Sequence, residues 1–321
     1  MIKKLLSGAA LTTAIPAIAQ ETAVHQPEFW MPVQEHVQNN DIPQYLGYAS
    51  DPTLIQTYDP AAAESGFLAF LHASEGIANW IFASVVLVAV LFAVFVLING
   101  RARLHKGFSG ELIPRWSAAD VALHWVVAIP CIALIITGVI LGAGRSFLHP
   151  LMTPEHFHSL VSGSMVFHNV MAFPFMLAGV VIMVKWARRQ FPERCDLAWF
   201  KVLGGYINFG PFKGRHPDAG FANAGEKAFF WCFVVFGLVL AATGLILFFP
   251  ELASGSRNLG NIALVLHIIS AIVLGAFSVV HIYMGAVMSE GGMENMLSGK
   301  CDRHWAEQNH NLWLEKVSSE E

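Results

Sequence analysis

Charge is scarce in this chain of 321 residues, because Asp, Glu, Lys and Arg together supply 13% of it while hydrophobic residues supply 55%. An ordinary soluble domain carries about 25% charged residues, so the composition excludes that class and indicates a membrane protein. The formal net charge is −4 and the basic residues form no stripe, so the charge pattern gives no indication of nucleic-acid binding.

Cysteine is scarce too, and the four present are Cys131, Cys195, Cys232 and Cys301. None falls in a segment that we predict to be exported, so no structural disulfide is expected. No C-x-x-C-H run occurs, which argues against covalently attached c-type haem, and no C-x-x-C pair suggests an iron–sulfur or zinc site.

Five long stretches contain no charged residue, and each exceeds the roughly 18–20 residues needed to cross a bilayer. They are 76–100, 121–144, 156–184, 228–250 and 258–289. We predict transmembrane helices at about 78–99, 119–142, 163–186, 228–249 and 261–288. Short exported loops join the second helix to the third and the fourth to the fifth, which favours a bundle of antiparallel neighbours. The predicted fold class is therefore an all-α integral membrane protein: a four-helix bundle plus one extra N-terminal transmembrane helix.

The N-terminus has the pattern of a bacterial signal peptide. Two lysines precede a short apolar run at 5–14, and an A-x-A cleavage pattern ends at residue 19. We predict that 1–19 is removed; the alternative is an uncleaved anchor, although about fifteen residues would be short to span a bilayer. Residues 20–76 are exported under either interpretation, as a partly ordered arm or as a contact surface for a periplasmic partner.

The basic residues predict the orientation of the chain in a bacterial inner membrane. If the arm is periplasmic, 15 of the 17 Lys and Arg residues that follow the signal peptide are cytoplasmic, and only Arg145 and Arg257 are not. The C-terminus is then cytoplasmic. The predicted segments are a signal peptide (1–19), a periplasmic arm (20–76), the extra transmembrane helix (77–100), a cytoplasmic linker (101–118), the four-helix domain (119–288) and a cytoplasmic tail (289–321).

Four of the fourteen histidines lie inside the bundle helices. His267 and His281 are fourteen residues apart on the last helix, which places them within about 40° of one face and roughly 21 Å apart along the axis. His168 lies near the exported end of its helix and His124 near the cytoplasmic end of its own, so His168 shares a depth with His267 and His124 with His281.

Ionisable groups inside a membrane are costly and need a partner or a function. A single such histidine is more often a hydrogen-bonded interior residue, but four at two matched depths favour a different explanation. Neutral imidazole suits iron, and two axial histidines can hold a haem. We therefore predict two b-type haems, one between His168 and His267 and the other between His124 and His281.

Other histidines fit this role less well. His156 and His158 compete for the exported-side site, but His168 is deeper and matches His267. The remaining histidines lie in polar or flanking sequence and are expected to be solvated: His25, His36, His72, His105, His149, His216, His304 and His310.

The stretch from about 115 to 315 resembles the membrane cytochrome b (gamma) subunit of respiratory formate dehydrogenase. The matching runs are ALHWVVAIPCIALIITGVIL, FHNVMAFPFML, FANAGEKAFFW, and LVLHIISAIVLGAFSVVHIYMG followed by GGMENMLSGKCDRHWAEQNHNLW. The fourteen-residue histidine spacing and the tail that follows it are the most specific features. The simplest members of that family lack the signal peptide, the arm and the extra helix.

The resemblance implies two b haems with the same histidine pairs. It also implies that electrons pass from a periplasmic catalytic (alpha) subunit, through an iron–sulfur (beta) subunit, to menaquinone or ubiquinone near the cytoplasmic face. Asn223 and Gly225 match the family's quinone pocket, whereas Glu226 stands where some relatives have Gln. Glu226 or Asp218 could deliver protons to the quinone; otherwise both are solvated loop acids.

The predicted function is a di-haem subunit that anchors formate dehydrogenase to the inner membrane and passes electrons to quinone. This function needs no acid–base triad within the chain, because the haems carry the redox chemistry. The alternatives are the cytochrome b subunit of a nickel–iron hydrogenase or a thiosulfate reductase, or a membrane anchor without redox function.

Overall fold

The computed structural model of the chain describes residues 74–212, 215–253 and 257–320. The predicted signal peptide and nearly all of the predicted arm lie outside the described residues. The helices are α1 (Ser74–Asn99), α2 (Ala118–Phe147), α3 (Pro154–Trp186), α4 (Arg194–Lys201), α5 (Ala224–Phe248), α6 (Arg257–Ile282), α7 (Glu294–Leu297), α8 (Arg303–Asn309) and α9 (Asn311–Glu320). Strands β1 (Leu112–Pro114) and β2 (Lys300–Asp302) pair antiparallel.

Four helices among the described residues are long and apolar enough to cross a membrane, as α2, α3, α5 and α6 with the turns that extend them. This confirms the predicted all-α membrane fold. The apolar part of α1 that is described, Ala83–Asn99, is shorter. At 1.5 Å per residue it covers about 25 Å, against a bilayer core of about 30 Å, so the membrane crossing of α1 stays a prediction.

Polar caps outside the apolar stretches make the bundle helices longer than the charge-free windows suggest. Ser117 caps α2 by accepting a hydrogen bond from Asp120 N, and Thr153 caps α3 by accepting one from His156 N. Side chains of this kind satisfy backbone N–H groups that the first turn leaves without partners. As a result α3 begins at Pro154, well before the predicted start at 163.

The bundle consists of two helical hairpins. Helix α2 packs along α3 and α5 packs along α6, while the two hairpins meet chiefly through α3 and α5. Buried Phe175 and Ile182 of α3 lie in one apolar core with Phe230 and Phe233 of α5. Helices α2 and α6 approach each other less closely, which leaves room between these two helices for side chains.

A π-helix, Tyr283–Met288, continues α6, and the linker after α1 is hydrogen-bonded to it. Ala102 N donates to Met288 O at 2.9 Å, and Arg101 Nε donates to Val287 O at 2.7 Å. Helix ends leave carbonyl groups without intrahelical partners, and the linker supplies donors for two of them. The linker is thereby fixed against the end of α6 that carries His281.

A buried arginine holds the predicted cytoplasmic tail against the bundle. The Arg115 guanidinium donates to Asn295 Oδ1 at 3.1 Å and to Phe221 O, and it lies 3.2 Å from His310 Nε2. The His310 side chain is fully buried and its Nδ1 lies 2.8 Å from Gly220 O. The expectation that His310 is solvated is therefore wrong, because the tail folds back onto the loop before α5 and encloses the ring.

Burial, together with the neighbouring Arg115 guanidinium, lowers the pKa of His310 to about 4. A neutral imidazole can donate through one ring nitrogen and accept through the other. Here Nδ1–H donates to Gly220 O and Nε2 accepts from Arg115. The ring thus links the loop before α5 to the start of α2.

Candidate cofactor sites

Each predicted histidine pair is brought together in the structure. The rings of His168 on α3 and His267 on α6 have centroids 6.5 Å apart, with planes 59° apart. The rings of His124 on α2 and His281 on α6 have centroids 6.4 Å apart, with planes 49° apart. We name them the outer pair (His168 and His267) and the inner pair (His124 and His281), after the predicted orientation.

The spacing of both pairs fits a metal ion between the rings. A metal such as zinc lies about 2 Å from an imidazole nitrogen, so two opposed rings that share one ion have centroids roughly 6 Å apart. Histidines packed directly against each other, without room for an ion, would lie closer. Either pair could therefore supply the two axial ligands of a haem iron.

Threonine hydroxyls hold both rings of the outer pair. Thr137 Oγ1 on α2 lies 2.8 Å from His168 Nδ1, and Thr243 Oγ1 on α5 lies 3.0 Å from His267 Nδ1. A hydrogen bond to the nitrogen that faces away from a metal fixes the ring orientation of a ligand histidine. The outer pair therefore has support suited to a metal ligand on both sides.

A glycine follows each of these threonines and lies beside the corresponding histidine ring. A Cβ atom on Gly138 would lie 3.7 Å from His168 Cε1, and one on Gly244 would lie 3.3 Å from His267 Cε1. The second distance is tighter than ordinary van der Waals contact. Gly244 thus keeps open the space beside the His267 ring.

The inner pair has different surroundings. The ring of Phe229 on α5 stacks on His281 at a centroid distance of 4.1 Å, with planes 9° apart. Buried His124 Nδ1 has no hydrogen-bond partner among the residues that the structure describes. Buried polar atoms are nearly always paired, so this nitrogen is an unusual feature of a ring that faces a second histidine.

The two competing histidines do not enter the outer pair. Both His156 and His158 are exposed on the first turns of α3. His156 Nδ1 lies 2.9 Å from the hydroxyl of Thr153, at the helix cap. The geometry thus favours His168 as the partner of His267.

The predicted quinone residues lie at the start of α5 and have structural contacts there. Asn223 Oδ1 accepts from Glu226 N at 3.0 Å, while Asn223 N donates to Glu226 Oε2 at 2.9 Å. This is a reciprocal cap of the helix end. A Cβ atom on Gly225 would lie 2.7 Å from the ring of Trp199, so the glycine allows α4 to pack against this turn.

The two candidate proton donors have different environments. Glu226 lies in the first turn of α5, where its Oε2 caps the helix and lies 3.4 Å from Arg115 Nη2, so it is a half-exposed helix acid rather than a loop acid. Asp218 is exposed and accepts a hydrogen bond from Asn311 Nδ2 at 2.8 Å. Of the two, Glu226 lies closer in sequence to Phe229 and hence to the inner pair.

A group of acidic and thiol side chains at the start of α4 has the spacing of a metal site, but a lysine ammonium group already binds its carboxylates. Its members are Glu193, Cys195 and Asp196. Lys227 Nζ lies 2.7 Å from Glu193 Oε2 and 3.0 Å from both Asp196 carboxylate oxygens. The lysine is almost fully buried, so this group is an ion-pair cluster that joins α4 to α5.

Four apolar helices with opposed histidine pairs define a membrane cytochrome b, and comparison with known families agrees. The family described as prokaryotic cytochrome b561 matches residues 115–299, more than half of the chain. The chain belongs to this family, and membership implies that it binds haem b.

The curated relatives include three cytochrome b subunits named for formate dehydrogenase. The nitrate-inducible cytochrome b556(Fdn) subunit of Escherichia coli (strain K12) is 26% identical over 218 residues, which cover 66% of this chain and 94% of the relative. The cytochrome b556(fdo) subunit of the same organism is 24% identical and covers 64% of this chain and 94% of its own length. The formate dehydrogenase cytochrome b556 subunit of Haemophilus influenzae is 26% identical, and the match covers 59% of this chain and 77% of the relative. The resemblance seen in the sequence is thereby confirmed.

Sequence reasoning missed the threonines beside the outer pair. A signal was present, since Thr137-Gly138 and Thr243-Gly244 occur in similar runs, ITGVIL and ATGLIL, within otherwise apolar helices. A polar residue followed by glycine in a membrane helix favours a close contact with a neighbouring polar group. The contact partner could not be identified without the packing of α3 and α6.

Proposed function

We propose that the chain is a di-haem cytochrome b subunit that anchors formate dehydrogenase to the bacterial inner membrane and passes electrons to quinone. One observation carries the proposal: two opposed histidine pairs at two depths of one bundle, each with the ring spacing that a shared iron requires. The formate dehydrogenase names of the curated relatives support the choice of electron donor.

The histidines are proposed as axial ligands in the pairs in which they occur. A bound haem supplies one-electron chemistry, and two axial histidines leave no coordination position open to dioxygen. His267 and His281 place the two pairs roughly 21 Å apart along α6, since each residue rises about 1.5 Å. The chain thus holds one cofactor site near each end of the bundle, as transfer across a membrane requires.

The start of α5 is proposed as part of the quinone site. Phe229 joins it to the inner pair, because its ring stacks on His281 and it lies one turn after Gly225. Asn223 and Gly225 are the candidates for quinone contact, and Glu226 is the nearby acid. Quinone reduction consumes two protons, and a carboxylate at the cytoplasmic end of the bundle could take protons from water.

The proposed partners follow from the proposed orientation. If the arm is periplasmic, the outer pair faces the side from which the alpha and beta subunits of formate dehydrogenase would deliver electrons. The positive-inside distribution of Lys and Arg supports this orientation. The role of the arm and of α1 in holding these subunits is part of the same proposal.

The test is to purify the full chain from membranes under mild conditions and to identify the subunits that accompany it. We expect an iron–sulfur subunit and a catalytic subunit, and we expect added formate to produce the reduced b-type spectrum. Reduction by hydrogen with a co-purified hydrogenase would replace formate dehydrogenase as the electron donor. A co-purified thiosulfate reductase, with thiosulfate oxidising the reduced haem, would identify an electron acceptor instead. A preparation with no b-type absorbance would exclude electron transfer and leave a simple anchor.

A further inference from the structure

The outer and inner pairs differ in what contacts the Nδ1 atoms of their histidine rings. Both outer rings have a threonine hydroxyl at this nitrogen, with distances of 2.8 Å for His168 and 3.0 Å for His267. In the inner pair, buried His124 Nδ1 has no such partner in the part of the chain that the structure describes. The histidines of the two sites therefore differ in the hydrogen bonding of Nδ1.

The direction of the two threonine bonds follows from the helix backbone. Each hydroxyl carries one proton. Thr137 Oγ1 donates it to Ala133 O at 2.7 Å, and Thr243 Oγ1 donates it to Val239 O at 2.6 Å. The hydroxyl oxygens can then only accept from the rings, so Nδ1 of each outer histidine carries the proton. This tautomer leaves Nε2 free to bind a metal.

The same arrangement occurs twice in the bundle. Thr137 lies on α2 and receives the histidine of α3, while Thr243 lies on α5 and receives the histidine of α6. A glycine follows each threonine and lies beside the ring that the threonine contacts. A repeated hydroxyl, backbone acceptor and glycine indicate a built feature of the outer site.

We propose that Thr137 and Thr243 are positioning residues that lower the reduction potential of the outer haem relative to the inner one. The proposal rests on the di-haem function proposed above. A ligand histidine that donates its second N–H becomes more basic, and a more basic ligand favours ferric over ferrous iron. His124 Nδ1 has no acceptor among the residues that the structure describes, so the inner iron receives less of this stabilisation.

The direction of the difference agrees with the proposed direction of electron flow. An electron that arrives at the outer site would pass to an inner site of higher potential, and the outer iron would be oxidised as the inner iron is reduced. The two threonines would thus favour net transfer from the periplasmic to the cytoplasmic side.

The experiment is a spectroelectrochemical titration of the purified complex with the Thr137→Val and Thr243→Val variants. Valine keeps the shape of threonine and removes the hydroxyl. We expect each variant to move the midpoint potential of the outer haem to a higher value and to leave that of the inner haem in place. The Thr→Ser variants keep a hydroxyl and should retain the wild-type value.

The control is Ser278→Ala on α6. Ser278 Oγ also donates to a backbone carbonyl of its own helix, Leu274 O, at 2.7 Å, and its other polar contact is with Cys131 Sγ at 3.8 Å rather than with a histidine of either pair. The variant should leave both potentials unchanged. An outer potential that stays constant or falls in the valine variants, with haem retained, would overturn the proposal.

A second measurement applies even if the valine variants lose haem. The His281→Ala variant should keep only the outer haem with two histidine ligands, and this haem should titrate at the lower of the two wild-type potentials. If it titrates at the higher one, the proposal is wrong. A wild-type preparation with fewer than two haems would instead refute the di-haem function.

Discussion

Replacement of His281 by alanine tests whether the two pairs are separate sites. The pairs share no residue, because each takes one histidine from α6 and the other from a different helix. Their α6 members are separated by roughly 21 Å along the helix, which is too far for one pair to replace a ligand of the other. The variant should therefore lose half of its haem with two histidine ligands, a change from two to one per chain.

The assay combines haem quantification with the reduced-minus-oxidised spectrum. Haem that remains at the inner site with His124 alone would have one axial histidine and an open position, so it would change to a high-spin spectrum. The low-spin signal should fall by half in either case. His168→Ala should give the same loss at the outer site, and the double variant should abolish the low-spin signal.

His156→Ala is the matched control. This histidine is exposed and its contact is with the cap residue Thr153, so its removal should leave both haems in place. Loss of both haems in His281→Ala, in a variant that inserts and folds normally, would contradict the separation of the sites. Retention of both low-spin haems would contradict the assignment of His281.

Three further changes test other parts of the argument. Asn223→Ala removes the cap of α5 at a cost of about 1 kcal/mol, whereas Asn223→Ser keeps a cap. If the Asn223 amide contacts quinone, quinol formation should fall in both variants while the haem spectra stay intact. If Asn223 acts as a cap alone, quinol formation should fall only in the alanine variant. Gly244→Val places atoms against His267 Cε1, because a Cβ at this position would already lie 3.3 Å from that atom. Haem analysis should therefore show loss of the outer haem. The control Gly163→Val should lose no haem, because a Cβ at Gly163 would meet nothing within 4 Å. Burial lowers the pKa of His310 to about 4 from an ordinary 6.5. Between these values the unfolded chain binds more protons than the folded one, so stability should fall by up to about 3 kcal/mol as the pH falls through this range. Thermal unfolding followed by tryptophan fluorescence should show a weaker pH dependence in His310→Gln, and an equal dependence would contradict the assignment.

The histidine pairs could be predicted from sequence because they depend on two regular quantities. Helix geometry fixes the face and spacing of His267 and His281, and charge-free windows fix the depth of each helix in the membrane. Depth alone then matched His168 and His124 to their partners. The structure brings the same pairs together.

The surroundings of these pairs could not be predicted, because they depend on the rotation of neighbouring helices and on contacts between distant parts of the chain. Thr243 meets His267 only because α5 and α6 pack as a hairpin in one rotation. His310 looked like a residue of a polar tail, but its burial depends on Arg115, which lies 195 positions earlier in the chain. Polarity along the sequence gives no information on such long-range pairs.

The position of α6 in the chain has a consequence for how the protein is made. It is the last of the four bundle helices to be synthesised, yet it supplies one histidine to each pair. Until it enters the membrane, His124 and His168 have no opposite ring. On the proposed ligation, completion of either cofactor site therefore has to wait until α6 has been synthesised, and a ribosome that stops before α6 releases a chain that can complete neither site.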